Sequence, residues 1–196
     1  METDIYRAPE AELQESGAEI DHEFYVVSKN KFLLLMVGTF GFYEIYWFYR
    51  NWKLYQKRHG VSMLPVMRAI FSVFFAYSLF RKLEDSNAEM DRESTWSPGW
   101  MATIYVTLTI VASITDRIST SMTEYTVLDV VSIVTLPVIV WILYRAQRVI
   151  NIVCEDPDGE SNAQITPANC FWLVIGLLLW SLIAIGFYEG FVGLPV

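Results

Sequence analysis

The run ANCFWLVIGLLLWSLIAIGFY, residues 168–188, holds 21 residues and no formally charged side chain. At about 1.5 Å of rise per residue, a helix of that length matches the ~30 Å hydrocarbon layer of a bilayer. Thr166 and Pro167 stand immediately before it, a helix-capping residue and a proline suited to the first turn. A helix apolar on every face has no stable place in water unless it is buried on every face. The run therefore predicts a membrane-spanning helix and an all-α fold.

Four further apolar stretches precede it, at 32–49, 66–80, 100–115 and 127–144. The stretch 127–144 carries Asp129 in its first turn, where free amides and the helix dipole favour a carboxylate. Pro137 inside it removes a backbone donor and predicts a kink. The stretch 100–115 is uncharged but rich in Thr and Ser, whose hydroxyls can bond back to their own helix. A connection of only about ten residues, DRISTSMTEY, pairs these two as an antiparallel hairpin. The first two stretches are more ambiguous. Gly38 and Gly41 interrupt 32–49, and 66–80 has Arg68 near its start and Arg81-Lys82 at its end. The expected architecture is a polytopic membrane helical bundle: three spans, plus two N-terminal helices that either span or re-enter.

Composition agrees. The 196 residues are 54% hydrophobic and only 18% charged, below the roughly one quarter of a soluble domain. The net charge of −8 is concentrated in residues 1–23, where eight acids face a single Arg7. Such a segment has too little apolar surface to offset the entropy of ordering, so it reads as a solvated acidic tail before a membrane domain over 24–196. It has neither the basic start nor the apolar core of a secretory signal.

Lys and Arg collect on the cytoplasmic side of membrane proteins. If the first two stretches both dip in and return, 13 of the 14 basic residues share one side, with Arg117 alone opposite. If all five stretches span, eight lie inside and five outside, with Arg68 within a helix. If only the second fails to cross, the split is ten to four with the N-terminus outside. The first two arrangements share a cytoplasmic N-terminus and an external C-terminus, the expected orientation.

Residues 42–52, FYEIYWFYRNW, hold seven aromatic rings around one acid, Glu44. Tyr and Trp favour the headgroup level, so this is a belt at a membrane interface. Trp52, Lys53, Tyr55, Lys57 and Arg58 then form a basic-aromatic strip suited to anionic headgroups. Glu44, Arg68 and Asp129 are the candidate intramembrane polar residues, Glu44 either bonded to a neighbouring Tyr or base, or serving as a proton or ion ligand. The partners implied are the bilayer itself, other membrane proteins or a second copy. The acidic balance argues against nucleic acid.

GFYEIYWFYRNWK (41–53), preceded by FYVVSKNKFLLL (24–35), resembles a Gly-x-Tyr-x-x-Tyr-Trp motif found in small bacterial multi-pass inner-membrane proteins. The later pattern is similar too, with Gln147 and Asn151 ending one helix, and Thr166, Asn169, Gly176 and Trp180 in the next. The resemblance implies a bacterial inner (cytoplasmic) membrane protein and supplies no activity.

No sequence pattern points to catalysis or a cofactor. GxSxG, HExxH and a phosphate-cradling glycine loop are all absent. His22 and His59 have no Cys or acid at ligand spacing and read as surface residues. Cys154 and Cys170 read as apolar packers on the reducing side. Asp156 and Asp158 flank Pro157 in CEDPDGESN, where two carboxylates offer oxygens to a cation, but Pro-Asp-Gly signals a turn in its own right and the turn is the expected reading. The chain thus reads as a non-catalytic module that binds or organises lipid or partner proteins. The alternative is a transporter or channel component using Glu44 and Asp129.

Overall fold

The computed structural model describes residues 22–90, 96–119 and 130–192. Within them the chain is all-helical: α1 (Lys29–Gly38), α2 (Tyr43–His59), α3 (Pro65–Ile70), α4 (Ser72–Glu89), α5 (Pro98–Ser119), α6 (Val131–Val153) and α7 (Pro167–Val192), with a short 3-10 turn at Glu160–Asn162. The acidic tail through residue 21 and Asp129 lie outside the described residues.

Neither of the first two apolar stretches is one continuous helix. The 32–49 stretch breaks between α1 and α2, where Phe40 and Gly41 take φ of 53° and 83°. Gly41 adopts that left-handed conformation without a steric cost. The Thr39 hydroxyl stitches the break, donating to Leu35 O at 2.7 Å and accepting from Tyr43 N at 2.9 Å. The 66–80 stretch breaks at Phe71, between α3 and α4. Ten residues of α1 rise about 15 Å, half of a bilayer core. Gly60, at φ 62°, ends α2 in the left-handed conformation.

The other three helices are each long and apolar enough to cross a membrane. α6 contains Pro137 and continues to Val153, well past the last residue of its apolar stretch, Tyr144. α5 packs against both α4 and α6, whereas α7 rests on α1 alone among the helices. That contact is close. A Cβ built on Gly176 would lie 1.8 Å from Gly38 O, so only glycine lets the two backbones meet there. Trp180 completes the joint, its indole N–H donating to Val37 O at 2.8 Å while its ring meets Phe40 edge-on at 5.0 Å.

The core is aromatic. Trp47, Phe48, Trp52, Phe80 and Tyr105 are completely buried, together with Phe24 and Phe32. Half of the apolar window of α6 is buried by the rest of the chain, against 11% for α5 and 6% for α7. Their exposed side chains, Trp172, Leu177, Leu178 and Leu182 among them, form apolar surface that requires lipid or a partner to cover it.

Candidate functional site

The extended segment before α1 is held by side-chain amides from three distant parts of the chain. Asn51 on α2 accepts from Tyr25 N at 3.0 Å, and Gln147 on α6 donates to Tyr25 O at 3.0 Å. One turn later, Asn151 accepts from Val27 N at 3.4 Å and donates to Val27 O at 3.0 Å. Asn162 donates to Val26 O at 2.8 Å. Trp47 donates its indole N–H to Gln147 Oε1 at 2.5 Å, and Gln147 in turn donates to Asn151 Oδ1 at 2.6 Å. An amide side chain both donates and accepts, so it can serve an extended backbone as a neighbouring strand would. Phe24, Tyr25, Val26 and Val27 are buried as a result.

Two cavities lie side by side, the first of them against this clamp at Tyr25, Val26 and Asn162. The first, of about 350 Å³, is half polar and half apolar; its lining includes Lys31, Arg50, Tyr46, Asn162, Thr166 and Asn169 beside Phe24, Val26 and Leu54. The second, of about 560 Å³, is mainly apolar; Phe42, Ile45, Val66, Ile70 and Trp172 line it. Tyr46, Thr166 and Asn169 belong to both. The larger cavity exists because α7 leans on α1 and stands off α2 and α3. Thr166 and Asn169 are fixed in the shared wall by a reciprocal helix cap. Thr166 N donates to Asn169 Oδ1 at 3.0 Å and Asn169 N to Thr166 Oγ1 at 3.3 Å.

Lys31 is only 3% exposed. Its ammonium donates to Asn162 Oδ1 at 2.6 Å and to the backbone oxygen of Gln164 at 2.7 Å, both neutral. Burial draws its pKa below the ordinary lysine value. Arg50 lies over the Tyr25 ring, 5.3 Å from its centroid. Among the described residues, no Asp or Glu lines either cavity.

No family model, curated protein or solved structure matches this chain. Geometry alone therefore carries the assignment. Glu44 is half-buried in a separate polar cluster. The Tyr105 hydroxyl donates to its Oε1, and Ser72 Oγ lies 3.0 Å from the Tyr105 oxygen and 3.5 Å from Glu44 Oε1. Arg68 does not join this cluster; its guanidinium lies over Trp52 at 4.4 Å and Phe75 at 5.0 Å.

Within the strip expected at the lipid interface, Lys53, Lys57 and Arg58 are exposed, whereas Trp52 is wholly buried in the core. Tyr55 stacks on His59 at 4.1 Å and accepts from Lys82 at 2.9 Å, so it faces α4. His59 meets Glu23 at 2.6 Å, a pairing invisible at 36 residues' separation. The Asp156 carboxylate accepts from Glu160 N at 3.0 Å and Ser161 N at 2.9 Å, capping the 3-10 turn. Partial burial acts to raise its pKa, but these amide bonds and the Ser161 hydroxyl outweigh it and hold the carboxyl below its ordinary range. Cys154 is buried, with its pKa pushed up to about 11 chiefly by desolvation, and its thiol lies 3.7 Å from Phe24 O.

Sequence reasoning overlooked the clamp and Lys31. The signals were Asn51, Gln147 and Asn151 within otherwise apolar or aromatic helices, each an amide needing a partner.

Proposed function

We propose that this chain is an integral membrane module of the bacterial inner membrane, non-catalytic, that binds and organises lipid at its cytoplasmic interface. The observation that carries the reading is the pair of adjoining cavities, half polar beside the amide clamp and mainly apolar between α2, α3 and α7. They lie at the end of the bundle where α6 stops and α7 starts, the level at which a spanning helix leaves the hydrocarbon. The shallow burial of α5 and α7 supports a lipid-facing role for both. The concentration of Lys and Arg supports a cytoplasmic N-terminus and an external C-terminus. Native mass spectrometry of the detergent-purified protein tests the reading. Phospholipid adducts that survive stepwise delipidation are expected, and a chain that sheds every lipid at the first step would overturn it.

A second reading, a transporter component, is favoured by one observation. Tyr105, Thr109, Ser113 and Arg117 recur every four residues on α5, a polar row that starts at the Glu44 cluster. Thr109, Ser113 and Arg117 line a groove of about 360 Å³ beside Val73. Proteoliposome flux, lost on Glu44→Gln or Asp129→Asn, would establish it; lipid retention without flux favours the first reading.

A further inference from the structure

We infer that the two adjoining cavities hold a single anionic phospholipid, its phosphate against Lys31 in the cavity beside the clamp and one acyl chain in the mainly apolar one. The inference rests on the lipid-binding reading and adds to it a headgroup charge and a residue that recognises it.

Three observations converge. The first is an electrostatic imbalance. Lys31 is buried and its partners are neutral oxygens, while among the described residues neither lining contains a carboxylate. A buried ammonium bonded only to dipoles retains a desolvation cost that an anion would offset. The second is the donor geometry around it. Thr166, Asn169 and Tyr46 stand in the wall common to both cavities, where the ester region of a lipid would pass. The third is size and lining. About 560 Å³ bounded by Phe42, Ile45, Ile70 and Trp172 falls within the roughly 300–1,000 Å³ typical of ligand cavities. A free phosphate would leave that chamber empty, and a neutral lipid would leave Lys31 uncompensated.

Trp172 lines the chamber and gives a direct readout. Full-length protein in non-ionic detergent is titrated with brominated-chain phosphatidylglycerol and, separately, brominated-chain phosphatidylcholine, following tryptophan quenching. Trp172→Phe identifies the chamber's share of the signal. Phosphatidylglycerol is expected to quench Trp172 at about five-fold lower concentration than phosphatidylcholine, the contribution of one basic group near an anionic headgroup. Lys31→Gln should abolish that preference and Lys31→Arg should keep it. Ala168→Phe, at the chamber wall, should weaken both lipids while circular dichroism shows an intact helical fold.

Equal quenching by the two lipids in the wild type overturns the headgroup assignment and leaves the lipid-binding reading standing, even if Lys31→Gln fails to fold. Absence of Trp172 quenching by either lipid overturns both. Inorganic phosphate that competes as tightly as the lipid would assign the site to the free anion and reject the amphiphile. If quenching emerges only after the acids of residues 2–21 are neutralised, the occupant is the chain's own tail and the proposal fails.

Discussion

At the scale of single residues, the amide clamp holds the extended segment before α1 through four side chains, Asn51, Gln147, Asn151 and Asn162. Asn151 satisfies both backbone groups of Val27. Asn151→Leu keeps the volume but strands a buried N–H and a buried C=O, each costing about 1–3 kcal/mol. The expected result is a loss of about 3 kcal/mol in unfolding free energy, measured by thermal or denaturant unfolding in detergent, with faster amide exchange at Val27. A second residue-scale expectation concerns pH. The Asp156 carboxyl is held below its ordinary value by the amides it caps. Because the folded state favours the charged form, its contribution is fully present above about pH 4 and dissipates as pH falls below that. Asp156→Asn should therefore lower the unfolding midpoint at neutral pH and converge with the wild type near pH 2. Cys154 supplies a third. With a pKa of about 11, only roughly a thousandth of this thiol is ionised at pH 8, and it is buried as well. In a Cys170→Ser background, maleimide should label it at least about a hundredfold more slowly than an exposed thiol, until detergent denaturation releases it.

At the scale of helices, continuity of hydrophobicity and continuity of backbone proved to be different properties. The charge-free run at 168–188 was legible as a helix because nothing in it offers an alternative to one. Arg145 and Arg148 close the apolar stretch 127–144 without ending its helix, which runs on to Val153 to deliver Gln147 and Asn151 to the clamp. The break at Phe71 has no proline or glycine to announce it, whereas the one at Phe40-Gly41 does. The clamp itself was illegible because it joins positions 26 to 136 residues apart. The α1–α7 joint makes a prediction of its own. Gly176→Val would drive a side chain into Gly38 O and force the helices apart. Overpacking of this kind costs about 1–3 kcal/mol, and since among the described helices α7 packs on α1 alone, the loss should appear as detachment of α7. Proteolysis near Thr166 is expected to accelerate in the variant. Leu177→Ala, exposed on the same helix, should behave as the wild type does.

At the scale of the whole molecule, the clamp restricts how the chain can sit in a bilayer. Residues 22–28 contact Asn51 on α2, the end of α6 through Gln147 and Asn151, and the turn at Asn162, so these parts share one end of the bundle. His59 reaches the same end through Glu23, which also accepts from Ser86 on α4. A chain whose α1 and α2 together carried it across the membrane would leave His59 on the side opposite Glu23, which it contacts. Under the proposed membrane reading, the N-terminal helices dip in and return, α5, α6 and α7 cross, and Arg117 lies at the far end. Single cysteines at His59, Arg117 and Ser161 in a Cys-free background test this in intact cells with a membrane-impermeant maleimide. Labelling is expected at Arg117 and not at His59 or Ser161 until the membrane is opened. His59 labelled from outside while Ser161 stays protected would be irreconcilable with the extended segment joining both to one end, because no single bilayer plane could then pass between them.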